Sequence, residues 1–166
     1  MNQGDASKFC MICCQQGAEG AVKAEVSRAG WNLAFSRPGF VTFKHRGGGS
    51  GGEEPALPSG IFCRSVCWSL GKTNTDQSDE VVDALVQAVE SSGVSVPFDL
   101  LHLWSRDRLP VGERGFMPGP EPLTDAVAQS LNDSLVAKSI VRASGANQVA
   151  RTDDRILDVV IGDPGH

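Results

Sequence analysis

The chain reads as an α+β fold, an α/β sandwich in which helices cover a mixed sheet. Three observations predict it. Apolar residues alternate with period two over short runs and elsewhere recur at spacings of three and four, the patterns of half-buried strands and of amphipathic helices. The two kinds of run take turns along the chain, so helices fall between strands at regular intervals. The 166 residues are 40% hydrophobic and 21% charged, which suits one well-filled domain or two small ones packed together.

Lys8 to Cys14 is a short apolar strand, and Gln15-Gln16-Gly17 turns it into a helix. Ala18, Ala21, Val22, Val26 and Ala29 form that helix's stripe, and Gly30 ends it as a glycine cap. Asn32 to Lys44 gives two strands broken at Arg37-Pro38-Gly39, with Leu33 and Phe35, then Val41 and Phe43, in half-buried alternation. His45 to Pro58 is a loop containing the run Gly47 to Gly52, followed by two glutamates and two prolines. Gly60 to Gly71 reads as a strand. Its Ile61, Cys63, Ser65, Cys67 and Ser69 share one face, and Phe62, Arg64, Val66, Trp68 and Leu70 the more apolar one. A helix over 78–91 carries Val81, Val82, Leu85, Val86 and Val89 on one side. Val96 to Trp104 has the apolar content of a central strand, and Arg106 to Pro122 is a long loop with four prolines and three glycines. Leu123 opens a helix with Thr124 as its cap and Val127, Leu131, Leu135 and Val136 as its stripe. Arg155 to Ile161 is a final strand, and no internal repeat is evident.

The net charge of −5 argues against a protein that grips nucleic acid by bulk charge. Charge is uneven, however. Six basic residues lie between Arg28 and Lys72 against Glu53 and Glu54, whereas Asp76 to Glu90 holds five acidic residues and no basic one. The acidic run reads as the solvated side of a helix. No apolar stretch is long enough for a signal peptide or a membrane span, and five cysteines is an odd number. Together these predict reduced thiols and a cytoplasmic protein.

Several constellations suggest chemistry and fail on their context. Gly47 to Gly52 satisfies the dinucleotide-loop pattern, but Glu53-Glu54-Pro55 follows where a helix N-terminus should meet phosphate, so a linker is the better reading. Cys10, Cys13, Cys14, Cys63 and Cys67 invite a zinc site. Cys10 and Cys13 sit in a strand that sends their sulfurs to opposite sides, and Cys63 and Cys67 share a face about 13 Å apart. They read as small buried hydrophobes, and a redox role for Cys10 and Cys13 lacks the helix N-terminus it requires. Asp99, His102 and Ser105 resemble a hydrolytic trio only in composition, since neighbours in a strand face opposite ways.

A softer signal is the set of basic residues on strands and turns. Arg37, Lys44, Arg46, Arg64, Lys72, Arg106 and Arg108 would form an RNA-facing patch if their strands adjoin. Trp31, Phe40 and Trp68 are candidates for base stacking, with core packing as the simpler role.

The run Cys14-Gln15-Gln16-Gly17-Ala18-Glu19, the helix after it, and the hairpin ending Pro38-Gly39-Phe40-Val41-Thr42-Phe43 resemble the N-terminus of bacterial large-subunit ribosomal RNA ribose methyltransferases of the M type. Leu57 to Lys72, Asp79 to Asp107 and Leu123 to Pro164 fit in the same order. The resemblance implies a ferredoxin-like β-α-β-β unit with its Gly-rich linker over 1–58 and a THUMP-like part over 59–166. Together these would be the half that captures structured ribosomal RNA. It implies that a C-terminal methyltransferase domain using S-adenosylmethionine lies beyond Gly162 to His166, so that the chain is a fragment. It assigns no catalytic residue, metal, membrane or DNA contact here. The family's Cys-Arg-Pro-Gly corner is Cys14-Gln15-Gln16-Gly17 in this chain, and the Gly47 to Gly52 insertion is also a departure. Two rival readings are a protein-interaction module presenting Trp31, Trp68 or Trp104, and a zinc module held by cysteines.

Overall fold

The computed structural model describes residues 9–45, 56–72, 78–105 and 122–161. Among them are three helices and six strands, arranged as one antiparallel sheet and one small parallel sheet, an α+β composition. The chain divides into two compact units, the first running to Ser69 and the second beginning at Leu70.

The first unit contains β1 (Phe9–Cys13), α1 (Glu19–Arg28), β2 (Trp31–Arg37), β3 (Phe40–His45) and β4 (Ser65–Ser69). The strands lie in the order β2-β3-β1-β4, every neighbour antiparallel. β1 is the hinge of this sheet, pairing Cys10 with Phe43 on one side and with Trp68 on the other. Period-two alternation sends Cys10 and Ile12 of β1 and Val41 and Phe43 of β3 to one face. There the helix stripe of Val22 and Val26 meets them, and all six are fully buried. Trp31 completes this core, its ring 5.6 Å from Trp68 and edge-on to His45 at 5.1 Å. Gly30, at φ 91°, ends α1 and donates its N–H to Ser27, as the glycine cap requires.

The division between units falls after β4, whereas the expected one falls after Pro58. The physical reason is pairing, since residues 65–69 hydrogen-bond along β1. The expected strand over Gly60 to Gly71 is also shorter, because residues 61 and 62 form a turn that leaves Ile61 and Phe62 exposed. Val66 and Trp68 do face the core as the alternation predicts. The Gly47 to Gly52 linker lies outside the described residues.

The second unit holds α2 (Ser78–Ser91), β5 (Leu100–Ser105), α3 (Pro122–Ala137) and β6 (Ile156–Ile161). β5 and β6 are parallel, with His102 opposite Asp158, so β5-α3-β6 is a parallel strand–helix–strand crossover. Leu101, Leu103 and Leu157 turn toward Val82, Val86 and Val89 of α2 and Val127, Leu131 and Leu135 of α3. Pro122 occupies the first helical position of α3, where its missing N–H costs nothing, so Thr124 is a buried first-turn residue.

Each core rests on a few large side chains. Phe43→Ala is expected to lower stability by about 3–5 kcal/mol and Leu131→Ala by about 2–5 kcal/mol, read as a fall in the urea midpoint.

Candidate nucleic-acid interface

The face of the first sheet opposite α1 follows from the register. Reading β2, β3, β1 and β4 across, Asn32, Lys44, Phe9 and Ser69 form one row, then Phe35, Thr42, Met11 and Cys67, then Arg37, Phe40, Cys13 and Ser65. Phe9, Asn32, Phe35, Arg37 and Lys44 are exposed, Phe40 and Thr42 half-buried, and Cys13 buried. The accessible part of the face therefore runs from Phe9 across β3 to β2. It carries two cations and no acidic residue in a chain whose net charge is −5. The Phe35 and Phe40 rings lie 5.7 Å apart and tilted, and the Arg37 guanidinium sits 5.5 Å above Phe35.

Two local devices place these side chains. The first is a break in register between Leu33 and Phe35. Leu33 pairs with Phe43 on the helix side, whereas Phe35 pairs with Thr42 on the other face. The extra residue in β2 puts on opposite faces two apolar positions that plain alternation puts together.

The second device is the Arg37-Pro38-Gly39-Phe40 corner. Gly39, at φ 84°, takes the left-handed conformation that the position after proline demands in a type II turn. Its carbonyl accepts the Cys14 N–H at 2.9 Å, and its own N–H donates to Glu19 Oε1 at 2.7 Å. The Glu19 carboxylate also accepts the Gly17 N–H, at 3.1 and 3.0 Å to its two oxygens. Cys14, Gly17, Glu19 and Gly39 thus meet at one junction.

Of the basic residues proposed from sequence, Arg37 and Lys44 share the accessible face. Arg64 precedes β4, and its N–H donates to Cys13. It stands exposed in the bend before β4, outside the paired rows that define the face. Lys72 is exposed but belongs to the second unit. Arg46, Arg106 and Arg108 lie outside the described residues. Sequence reasoning missed Phe9 and Phe35. Phe9 was legible as the residue opposite in phase to Cys10 and Ile12. Trp31 is buried, and Trp68 is half-buried with its side chain against the core, so core packing is what the structure shows for both. Trp104 is half-buried, its indole N–H directed at Asp158 at 3.4 Å.

The cysteines form no metal site among the described residues, where no group of three metal-ligating side chains occurs. Cys10 lies on the helix side and Cys13 on the opposite face. Cys63 packs against the core ahead of β4, whereas Cys67 directs its thiol at the Met11 carbonyl, so the expected shared face of these two is not formed. Burial, with the thiols of Cys67 and Cys63 nearby, pushes the Cys10 pKa from 9.0 to about 12. Burial and the neighbouring Glu25 carboxyl raise that of Cys63 as well.

In the second unit Asp99 and His102 of the supposed trio are held by different partners. The Arg155 N–H and the Arg142 guanidinium donate to Asp99 at 2.9 and 2.6 Å and hold its carboxyl below the usual range. His102 instead donates from Nε2 to the Gln148 carbonyl at 2.9 Å and has Asp158 3.8 Å from Nδ1. Among the described residues no helix is long and apolar enough to cross a membrane.

Removing the Glu19 carboxylate leaves the Gly39 and Gly17 amides without their charged acceptor. Glu19→Ala is expected to cost about 1.5–3 kcal/mol in urea denaturation, with Glu19→Gln recovering part of it. The raised Cys10 pKa sets a second expectation. Above pH 9 the unfolded thiol ionises and the folded one does not, so this contribution to stability is present below pH 9 and lost toward pH 12. The melting temperature should fall across that range, and Cys10→Ala should flatten the fall. Comparison with protein-family models, with curated proteins and with solved structures returns no match to this chain.

Proposed function

We propose that the chain is a non-catalytic RNA-recognition module, the part of a ribosomal RNA ribose 2′-O-methyltransferase that captures substrate. The observation that carries this reading is the accessible face of the first sheet, where Arg37 and Lys44 stand among aromatic rings without an acidic neighbour. The order β2-β3-β1-β4 with a helix on one face supports a ferredoxin-like sheet for the first unit. The parallel crossover of the second unit is the part read as THUMP-like. Structured ribosomal RNA is the partner, and the methyltransferase domain of the same polypeptide supplies S-adenosylmethionine and the chemistry. No residue of this chain is assigned to the cofactor.

A protein-interaction module is the second reading. What favours it is the turn after Pro58, where Ile61 is 89% and Phe62 48% exposed.

Two phosphate contacts on a single strand predict a log–log salt slope of about −1.4. RNA affinity should then fall about sevenfold between about 50 and 200 mM salt. Arg37→Gln combined with Lys44→Gln should bring the slope toward zero, as read by fluorescence anisotropy. Salt-insensitive binding, or no binding to any RNA at low salt, removes the reading.

A further inference from the structure

We infer that the accessible face of the first sheet takes unpaired RNA, with bases stacked on Phe9, Phe35 and Phe40 and the backbone held by Arg37 and Lys44. The inference rests on the RNA-binding reading and specifies its ligand.

An antiparallel sheet packed on one side normally turns polar side chains outward on the other. Here the outward rows carry Phe9 at 38% exposure and Phe35 at 45%, with the half-buried Phe40 beside Phe35. Phe40 sits on β3, whose other side holds the fully buried Val41 and Phe43, and Phe9 sits on β1 directly across from Lys44. Phe9 and Phe40 thus stand on strands whose other side is packed in the core. Phe9 and Phe35 are two strands and one row apart, about 12 Å at ordinary sheet spacings. A four-stranded sheet with aromatic residues at such positions accommodates two or three stacked bases.

The chemistry of the face selects among partners. A closed duplex keeps its bases stacked on one another, so protruding rings have nothing to receive. Duplex recognition depends on phosphate and 2′-hydroxyl contacts along the groove, which two cations supply poorly. A protein partner covering the same rings would also cover Lys44, and lysine is depleted from protein interfaces. Splayed single-stranded nucleotides meet both features, since every base has a π-face and every linkage a phosphate. Arg37, already above the Phe35 ring, is positioned to extend the stack or to reach the neighbouring phosphate.

The test compares a short single-stranded RNA with a duplex of the same length, using the full 166-residue chain and 2-aminopurine or end-label fluorescence. Phe35→Leu and Phe9→Leu keep apolar bulk and remove the ring, and circular dichroism with thermal melting checks that the fold persists. Tighter binding of the single strand, weakened at least about fivefold by either substitution, is the expected result. Equal binding of both RNAs, unchanged by the leucine variants but lost with Arg37→Gln and Lys44→Gln, overturns stacking and leaves RNA binding standing. Absence of binding to either RNA at low salt overturns both.

Discussion

The first unit depends on the junction where Gly39, Glu19, Gly17 and Cys14 meet. A hairpin, the end of β1 and the start of α1 are tied there by backbone amides and one carboxylate. Gly39 has both its N–H and its carbonyl committed, so the β2–β3 corner cannot shift along β1 without breaking two bonds. Only a residue free to adopt positive φ can occupy that corner. The acidic side chain at the first turn of α1 is favoured by the helix dipole as well as by the amides it accepts. Because the corner is fixed, so is the position of Arg37 and Phe40 directly across from each other.

The second unit is organised by another edge. The segment after α3 runs beside β5, with hydrogen bonds between Phe98 and both Ile140 and Arg142, and from Asn147 N–H to the Leu101 carbonyl. Asn147 adopts φ 59°, which asparagine tolerates, and its side-chain oxygen accepts the Leu103 N–H at 2.7 Å. One asparagine thus completes a strand edge with its backbone and its side chain together. Asp99, held by Arg142 and Arg155, locks the start of β5 to the segments flanking it, and the Arg155 guanidinium lies 5.3 Å above Phe98. These charged groups fasten strands and are not poised for reaction.

The two faces of the first sheet differ in what they present to solvent. On one, Val22, Val26, Ile12, Val41, Phe43 and Trp31 exclude water. On the other, the aromatic rings of Phe9 and Phe35 and the cationic side chains of Arg37 and Lys44 remain in solvent. The net acidity of the chain sits elsewhere, notably on α2, whose described acidic residues Glu80, Asp83 and Glu90 precede no basic residue in its last turn. Glu90 is paired with Lys138 at 2.8 Å.

The amino-acid sequence by itself determined the α+β class, the three helices and most of the strands, because each rests on a local periodicity that burial only confirms. The buried stripes of α2 and α3, the glycine cap at Gly30 and the Pro38-Gly39 corner are of this kind. It also placed Arg37 and Lys44 as candidates, but among five other basic residues it had no means of separating. Which residues share a face was decided by tertiary pairing. The irregularity between Leu33 and Phe35 turns Phe35 away from the core, and nothing in the local pattern of β2 encodes it. It is a property of two strands of unequal length joined at a fixed corner. The membership of β4 in the first sheet was likewise settled by long-range hydrogen bonds to β1, which no periodicity within 65–69 expresses. Local pattern specifies which elements form, whereas register between distant strands specifies what each face presents, and the candidate site is a matter of register.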